Sequence, residues 1–166
     1  MNPNPPLTPE LLIQLLAGVD FDKRYYHLAG SHAGAMNARP PASWLDTAKT
    51  FLEARPLAFK FTKREKLFSH IAAYDGCDVG LNIAFPSEQV EFILVVKVAG
   101  NHIGQPFTGL ARKVGQWRDS SFAPSPPSPK IPFASAEQLQ EALESGLKLF
   151  EDSRRAILTH LGISPP

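Results

Sequence analysis

His27 and His32 stand five residues apart in the segment HLAGSH, directly after Tyr25 and Tyr26. Two imidazoles at that distance in a loop can hold a transition metal between them. A catalytic zinc takes three protein ligands, however, and no H-E-x-x-H or C-x-x-C is present to complete such a set. Cys77 lies between Asp75 and Asp78, and His70 or His102 beside it would make a nucleophile and its base. The competing reading asks for less: Asp75-Gly76 is a turn pair, and a single cysteine opening a strand is a small buried apolar residue. Gly100, Gly104 and Gly109 precede a helical stretch, as the glycines of a phosphate loop do. Their spacing is neither G-x-G-x-x-G nor G-K-[ST], and they follow an antiparallel strand. The expectation is no cofactor, no metal and no assembled catalytic set. His160, near the end of the last helix, reads as a favourable partial charge at a helix C-terminus.

The charged residues give a second set of candidates. Lys60, Lys63, Arg64 and Lys66 interleave with Phe59 and Phe61, and Arg112, Lys113 and Arg118 follow later. With 17 Lys and Arg against 16 Asp and Glu, the formal net charge is only +1. No nucleic acid and no anionic membrane is expected as partner, and the basic run reads as a strand edge protected against pairing. The acids Glu137, Glu141, Glu144, Glu151 and Asp152 read as the wet face of a helix. Two PxxP matches fall between Pro124 and Pro129, where a surface strap over about 118–132 is the simpler expectation. That strap would press Trp117, Phe122 and Phe133 onto the body.

These side chains need a frame, and its centre is the run from Val79 to Ala99. Val79, Leu81, Ile83 and Phe85 alternate along one face, and Val90, Phe92, Leu94, Val96 and Val98 along another. Pro86-Ser87-Glu88 joins the two strands. Ile93 and Val95 make the back of the second strand apolar as well, which predicts a central strand covered on both sides. The segment Leu57–Asp75 fits either strands or a helix; the Asp75-Gly76 pair, a type I′ hairpin signal, favours strands.

Helices are predicted around this sheet. Thr8-Pro9-Glu10 opens one that ends near Gly18. Ser43, with Asp46 as capping-box partner, opens a second that stops before Pro56. A third runs from Pro106 to Gly115. A long one starts at Ser135 and ends at Gly162. Phe21 to Ala42 carries no sustained period, so it is expected as a long loop with a short strand at 23–28. Sixteen prolines, including Pro3–Pro9 and Pro165–Pro166, mark off these elements. The expected fold is α+β: one domain over residues 1–166, with an antiparallel meander of three to four strands packed against helices that include a long C-terminal one.

The N-terminal residues MNPNPPLTPELL lack the charged and apolar regions of a signal peptide, and one cysteine suits a reducing compartment, so a cytoplasmic location is expected. A sturdy core without a catalytic cluster points to a protein that binds another protein. The order of segments, with a capped final helix after a proline-rich strap, broadly resembles the immunity proteins of antibacterial toxins. That resemblance implies a small bacterial inhibitor that occludes a toxin's active site, with another protein, a toxin domain, as partner. Tyr25, Tyr26, Arg39 and Trp117 are the expected binding anchors, being of the residue types that carry interface energy. Two opposed readings remain: a small hydrolase or transferase using His27, His32, His70 or Cys77, and an adaptor or assembly subunit.

Overall fold

The β-branched run does form the centre of the sheet. In the structure, a computed structural model that describes residues 4–165, β3 (Cys77–Ala84) pairs antiparallel with β4 (Glu91–Val98), setting Leu81 opposite Leu94 and Val79 opposite Val96. Pro3 and Pro166, two of the punctuating prolines, lie outside the described residues. β1 (Lys60–Thr62) and β2 (Leu67–Tyr74) precede this pair, and β5 (Asn101–His102) follows it. The order is β1-β2-β3-β4-β5, an antiparallel meander of five strands, slightly more than predicted. The fifth exists because Ala99 and Gly100 adopt positive φ (50° and 84°) and return the chain so that His102 faces Lys97.

Leu57–Asp75 resolves as strands because pairing β2 with β3 places Phe68 against Ile83 in the core, with Phe92 beyond it. The Asp75-Gly76 turn joins Tyr74 to Cys77, but only Gly76 takes a positive φ, 75°. A type I′ turn requires positive φ at both central residues, so the turn type differs from the prediction.

The helices are α1 (Pro9–Ala17), α2 (Phe21–His32), α3 (Trp44–Glu53), α4 (Phe107–Arg118) and α5 (Ala136–His160). They lie on the side of the sheet where Phe68, Val79, Leu81, Ile83, Phe92, Leu94 and Val96 are buried. Phe107 of α4 meets Phe92 at 5.3 Å between ring centroids, Trp44 of α3 meets Phe85 at 4.8 Å, and Gly146 of α5 lies under the Phe92 ring. α1 and α2 then pack on α4 and α5.

Thr8 caps α1 by accepting from the Leu11 amide, and Ser135 caps α5 by accepting from the Gln138 amide. Gln138 reaches back to the Ala134 amide at 2.7 Å, closing the capping box one residue earlier than its usual form. Gly162 (φ 72°) ends α5 in the left-handed conformation that favours glycine.

Four local expectations fail. Ser43 occupies the cap position of α3 but its side chain makes no capping bond. Gly115 does not end α4, which runs on to Arg118; the missing side chain instead admits the Phe122 ring. The segment Phe21–Ala42 is not a loop with a strand at 23–28, because α2 fills its first half. Phe21, Tyr25, Leu28, Ala29 and His32 make a buried helical stripe there, hidden by His and Tyr of modest helix propensity and by Gly30. The back of β4 is not covered: Ile93 and Val95 are only half-buried, since the described helices pack on the other face.

Candidate functional site

Tyr25 is buried in α2, and its hydroxyl donates to the Pro129 carbonyl at 2.7 Å. Burial pushes its pKa up to about 12. Tyr26 stacks between Tyr25 (5.9 Å) and Phe122 (5.5 Å), with its hydroxyl oxygen buried, and burial raises its pKa too. Tyr25 is therefore covered by the 119–132 strap, while Tyr26 packs on Phe122 of the strap and stays half-buried. His32 is also buried and donates Nδ1–H to the Pro132 carbonyl, 3.2 Å away. Val90 closes the far end by donating to the Ile131 carbonyl at 2.9 Å. The strap holds Phe133 fully and Phe122 partly against the body. Trp117 was expected beneath it but sits on α4 with 54 % of its surface exposed. Arg39 is exposed as well, in a shallow hollow beside Glu88 and Gln89, away from the Ile13, Ile103 and Lys113 surroundings of Trp117. The four expected anchors thus do not share one surface.

The other candidate residues are likewise dispersed. His70 pairs in register with Leu81, four strand positions from Cys77, a span of about 13 Å that no base–nucleophile hydrogen bond crosses. Burial raises the Cys77 pKa, keeping the thiol protonated. His102 is exposed on the edge strand. Among the described residues no group of three or more His, Cys, Asp or Glu could hold a metal ion. No described helix is long and apolar enough to cross a membrane.

A hollow of about 1000 Å³ forms an open groove between α2 and α5 that takes in His27, Ser31, Glu141 and Lys148. Its other charges are matched within the chain: Arg24 meets Asp152 at 2.9 Å, and Lys23 meets Asp20 at 3.6 Å. Nearby, Arg118 holds the buried carboxylate of Asp22 through Nε at 3.1 Å and the Ala17 carbonyl through Nη2 at 2.6 Å, locking the α1–α2 corner to α4. These contacts are structural cross-links.

The surface with an unmet need is the outer face of the sheet. Register aligns Ser69, Asn82, Ile93 and Pro106 in one row, then Ile71, Gly80, Val95 and Gly104 in the next. Ala73, Asp78, Lys97 and His102 form the row beyond. Apart from Gly80, none of these residues is buried, and Ile71 is 52 % exposed. A Cβ at Gly80 would run into the neighbouring strand at His70 and Ile71, so no side chain fills the space between Ile71 and Val95. Three rows about 7 Å apart over four strands about 4.8 Å apart make a platform of roughly 15 by 15 Å between its outermost rows and strands. It is apolar at the centre and carries polar residues at both ends, Ser69 and Asn82 at one and Asp78, Lys97 and His102 at the other. The signal for it was in the sequence: Ser69, Asp78, Asn82 and Lys97 occupy the same face as Ile93 and Val95, which a covered sheet would not tolerate.

Comparison with family models, with curated proteins and with solved structures finds no match for this chain, so its function has to be read from these surfaces.

Proposed function

We propose that this protein is a small cytoplasmic binding protein that acts by covering a partner protein, as an immunity protein covers the active site of a bacterial toxin. The observation that carries the reading is the outer sheet face, where Ile71, Val95 and Ile93 lie half-buried or exposed with no helix over them among the described residues. The burial of Tyr25 and the packing of half-buried Tyr26 on Phe122 redirect the expected anchoring role to this face and its rim. The platform is roughly 200 Å² in plan, and only the part around Ile71, Ile93 and Val95 is apolar, so the apolar area is below the about 300–600 Å² of the largest patch on a typical monomer. It is less than half of the about 800 Å² that each partner contributes to a standard interface, so a partner must also reach the surrounding loops. Lys97, Asp78 and His102 give that rim charges of both signs, which fix orientation more than affinity.

The test is affinity capture from the native host with the wild-type chain and with Ile71→Lys. The exposed position makes this substitution nearly neutral for stability, within about 0.5 kcal/mol. Placing an ammonium against an apolar partner surface weakens capture by roughly thirtyfold or more. A partner retained equally by both proteins refutes the reading. Protection of cells by wild type but not by Ile71→Lys, when the captured protein is co-expressed, separates a toxin inhibitor from an adaptor.

A further inference from the structure

A second feature, sharing no residue with the three rows of the outer sheet face, lies at the β1 end of the molecule. There a hollow of about 520 Å³ opens between the last turn of α3, the connection 54–59 and strands β1 and β2. Its walls are Leu52, Leu57, Phe59, Phe61 and Phe68, and it is completed by Lys49, Glu53 and Arg55. The volume is that of a small-molecule site, and the composition is typical of one: mostly apolar with a few polar groups.

The polar groups are incompletely satisfied. Arg55 stacks on Phe51, with Cζ 4.1 Å from the ring centroid, which fixes the guanidinium plane. Its Nε is buried and has no acceptor. Lys49 holds its Nζ 4.4 Å from the centre of the Phe61 ring. Among the described residues no carboxylate pairs with either cation. A desolvated charged donor without an acceptor is unfavourable until one arrives. Beside the hollow, His70 donates Nδ1–H to the carbonyl of Ala58 at 2.9 Å and packs on Phe59 at 5.8 Å, which leaves its buried Nε2 without a partner. Arg55 Nε is thus the unpaired donor at this hollow, whereas His70 Nε2, with the proton on Nδ1, is an acceptor and adds nothing towards an anion. Two cations against one acid leave the lining with a single net positive charge.

We propose that this hollow binds a small organic monocarboxylate with an aromatic or short acyl body. The carboxylate accepts from Arg55 in the field of Lys49, and the body lies against Phe59, Phe61 and Phe68. A monoanion fits better than a phosphate or dicarboxylate, because a second negative charge would face Glu53. A neutral analogue would leave the guanidinium with a weaker acceptor, and charge-assisted hydrogen bonds are the stronger kind.

The experiment is calorimetric titration of the intact wild-type chain with phenylacetate, 4-phenylbutyrate and the amide of each. At least one acid is expected to bind one-to-one and roughly tenfold or more tighter than its own amide. Arg55→Gln, shown by its melting curve to be folded, should lower the affinity of that acid to that of the amide. Equal affinity of acid and amide overturns the proposal, as does the absence of saturable binding of either acid at about 10 mM, weaker than any functional site of this size requires. A folded Arg55→Gln protein that binds the acid like wild type overturns it too. The acid–amide comparison uses the wild-type chain alone, so it decides the matter whether or not the variant folds.

Discussion

Gly146→Ala is the sharpest test of how α5 is seated on the sheet. In an exposed helix, replacing glycine by alanine stabilises by about 1 kcal/mol, because glycine has more backbone freedom to lose. Gly146 is buried in the middle of α5, and a Cβ there would penetrate the Phe92 ring. That ring is itself only 1 % exposed and is backed by Phe107, so it cannot swing away. Overpacking of a closed core costs about 1–3 kcal/mol, and with no outlet for the strain the upper end applies. Subtracting the propensity gain leaves a net loss of about 2 kcal/mol. Urea unfolding followed by circular dichroism, on wild type, Gly146→Ala, Phe92→Leu and the double variant, measures it. In the Phe92→Leu background the ring is gone, and Gly146→Ala should recover its stabilising sign, giving a coupling of about 2–3 kcal/mol across the cycle. A single Gly146→Ala variant as stable as wild type or more so, or a coupling below about 0.5 kcal/mol, would refute the packing argument.

Tyr25→Phe removes the hydroxyl that holds Pro129 and should cost about 1 kcal/mol while speeding proteolysis within 119–130, read by mass spectrometry of the fragments. Burial raises the Tyr25 pKa from 10.0 to about 12 in the folded chain, so its contribution is intact below pH 10 and is lost as the pH climbs towards 12. Melting temperatures across that window should fall less steeply for Tyr25→Phe than for wild type. Arg118→Met strands the buried Asp22 carboxylate; because the arginine side chain is 30 % exposed and partly screened, the loss should be about 2 kcal/mol by urea unfolding, below that of a fully buried pair. Cys77, buried and with a raised pKa, should react with a thiol reagent at neutral pH only as fast as the chain opens, so adding denaturant accelerates labelling sharply.

The α+β class, the β3–β4 hairpin and the long capped α5 were legible in the sequence because each depends on local chemistry. Alternation of apolar residues, a Ser or Thr at a cap and a glycine after a helix act over a few residues, and the tertiary structure had only to accept them. α2 was not legible, since its buried stripe of Phe21, Tyr25 and Leu28 is interrupted by residues of weak helical preference and is fixed by packing on α4 and α5. The burial of Tyr25 was equally hidden. A tyrosine's type says that it can carry interface energy, but only the path of the strap decides that Tyr25 spends its hydroxyl on Pro129. The hollow beneath Arg55 is the furthest from the sequence, because it is defined by what does not cover it; the outer sheet face left a trace only in the polar residues Ser69, Asp78, Asn82 and Lys97 that share it with Ile93 and Val95. Residue types settle which groups must be buried; which side of a sheet stays open follows from where the connections let the helices land, and that is a property of the whole chain.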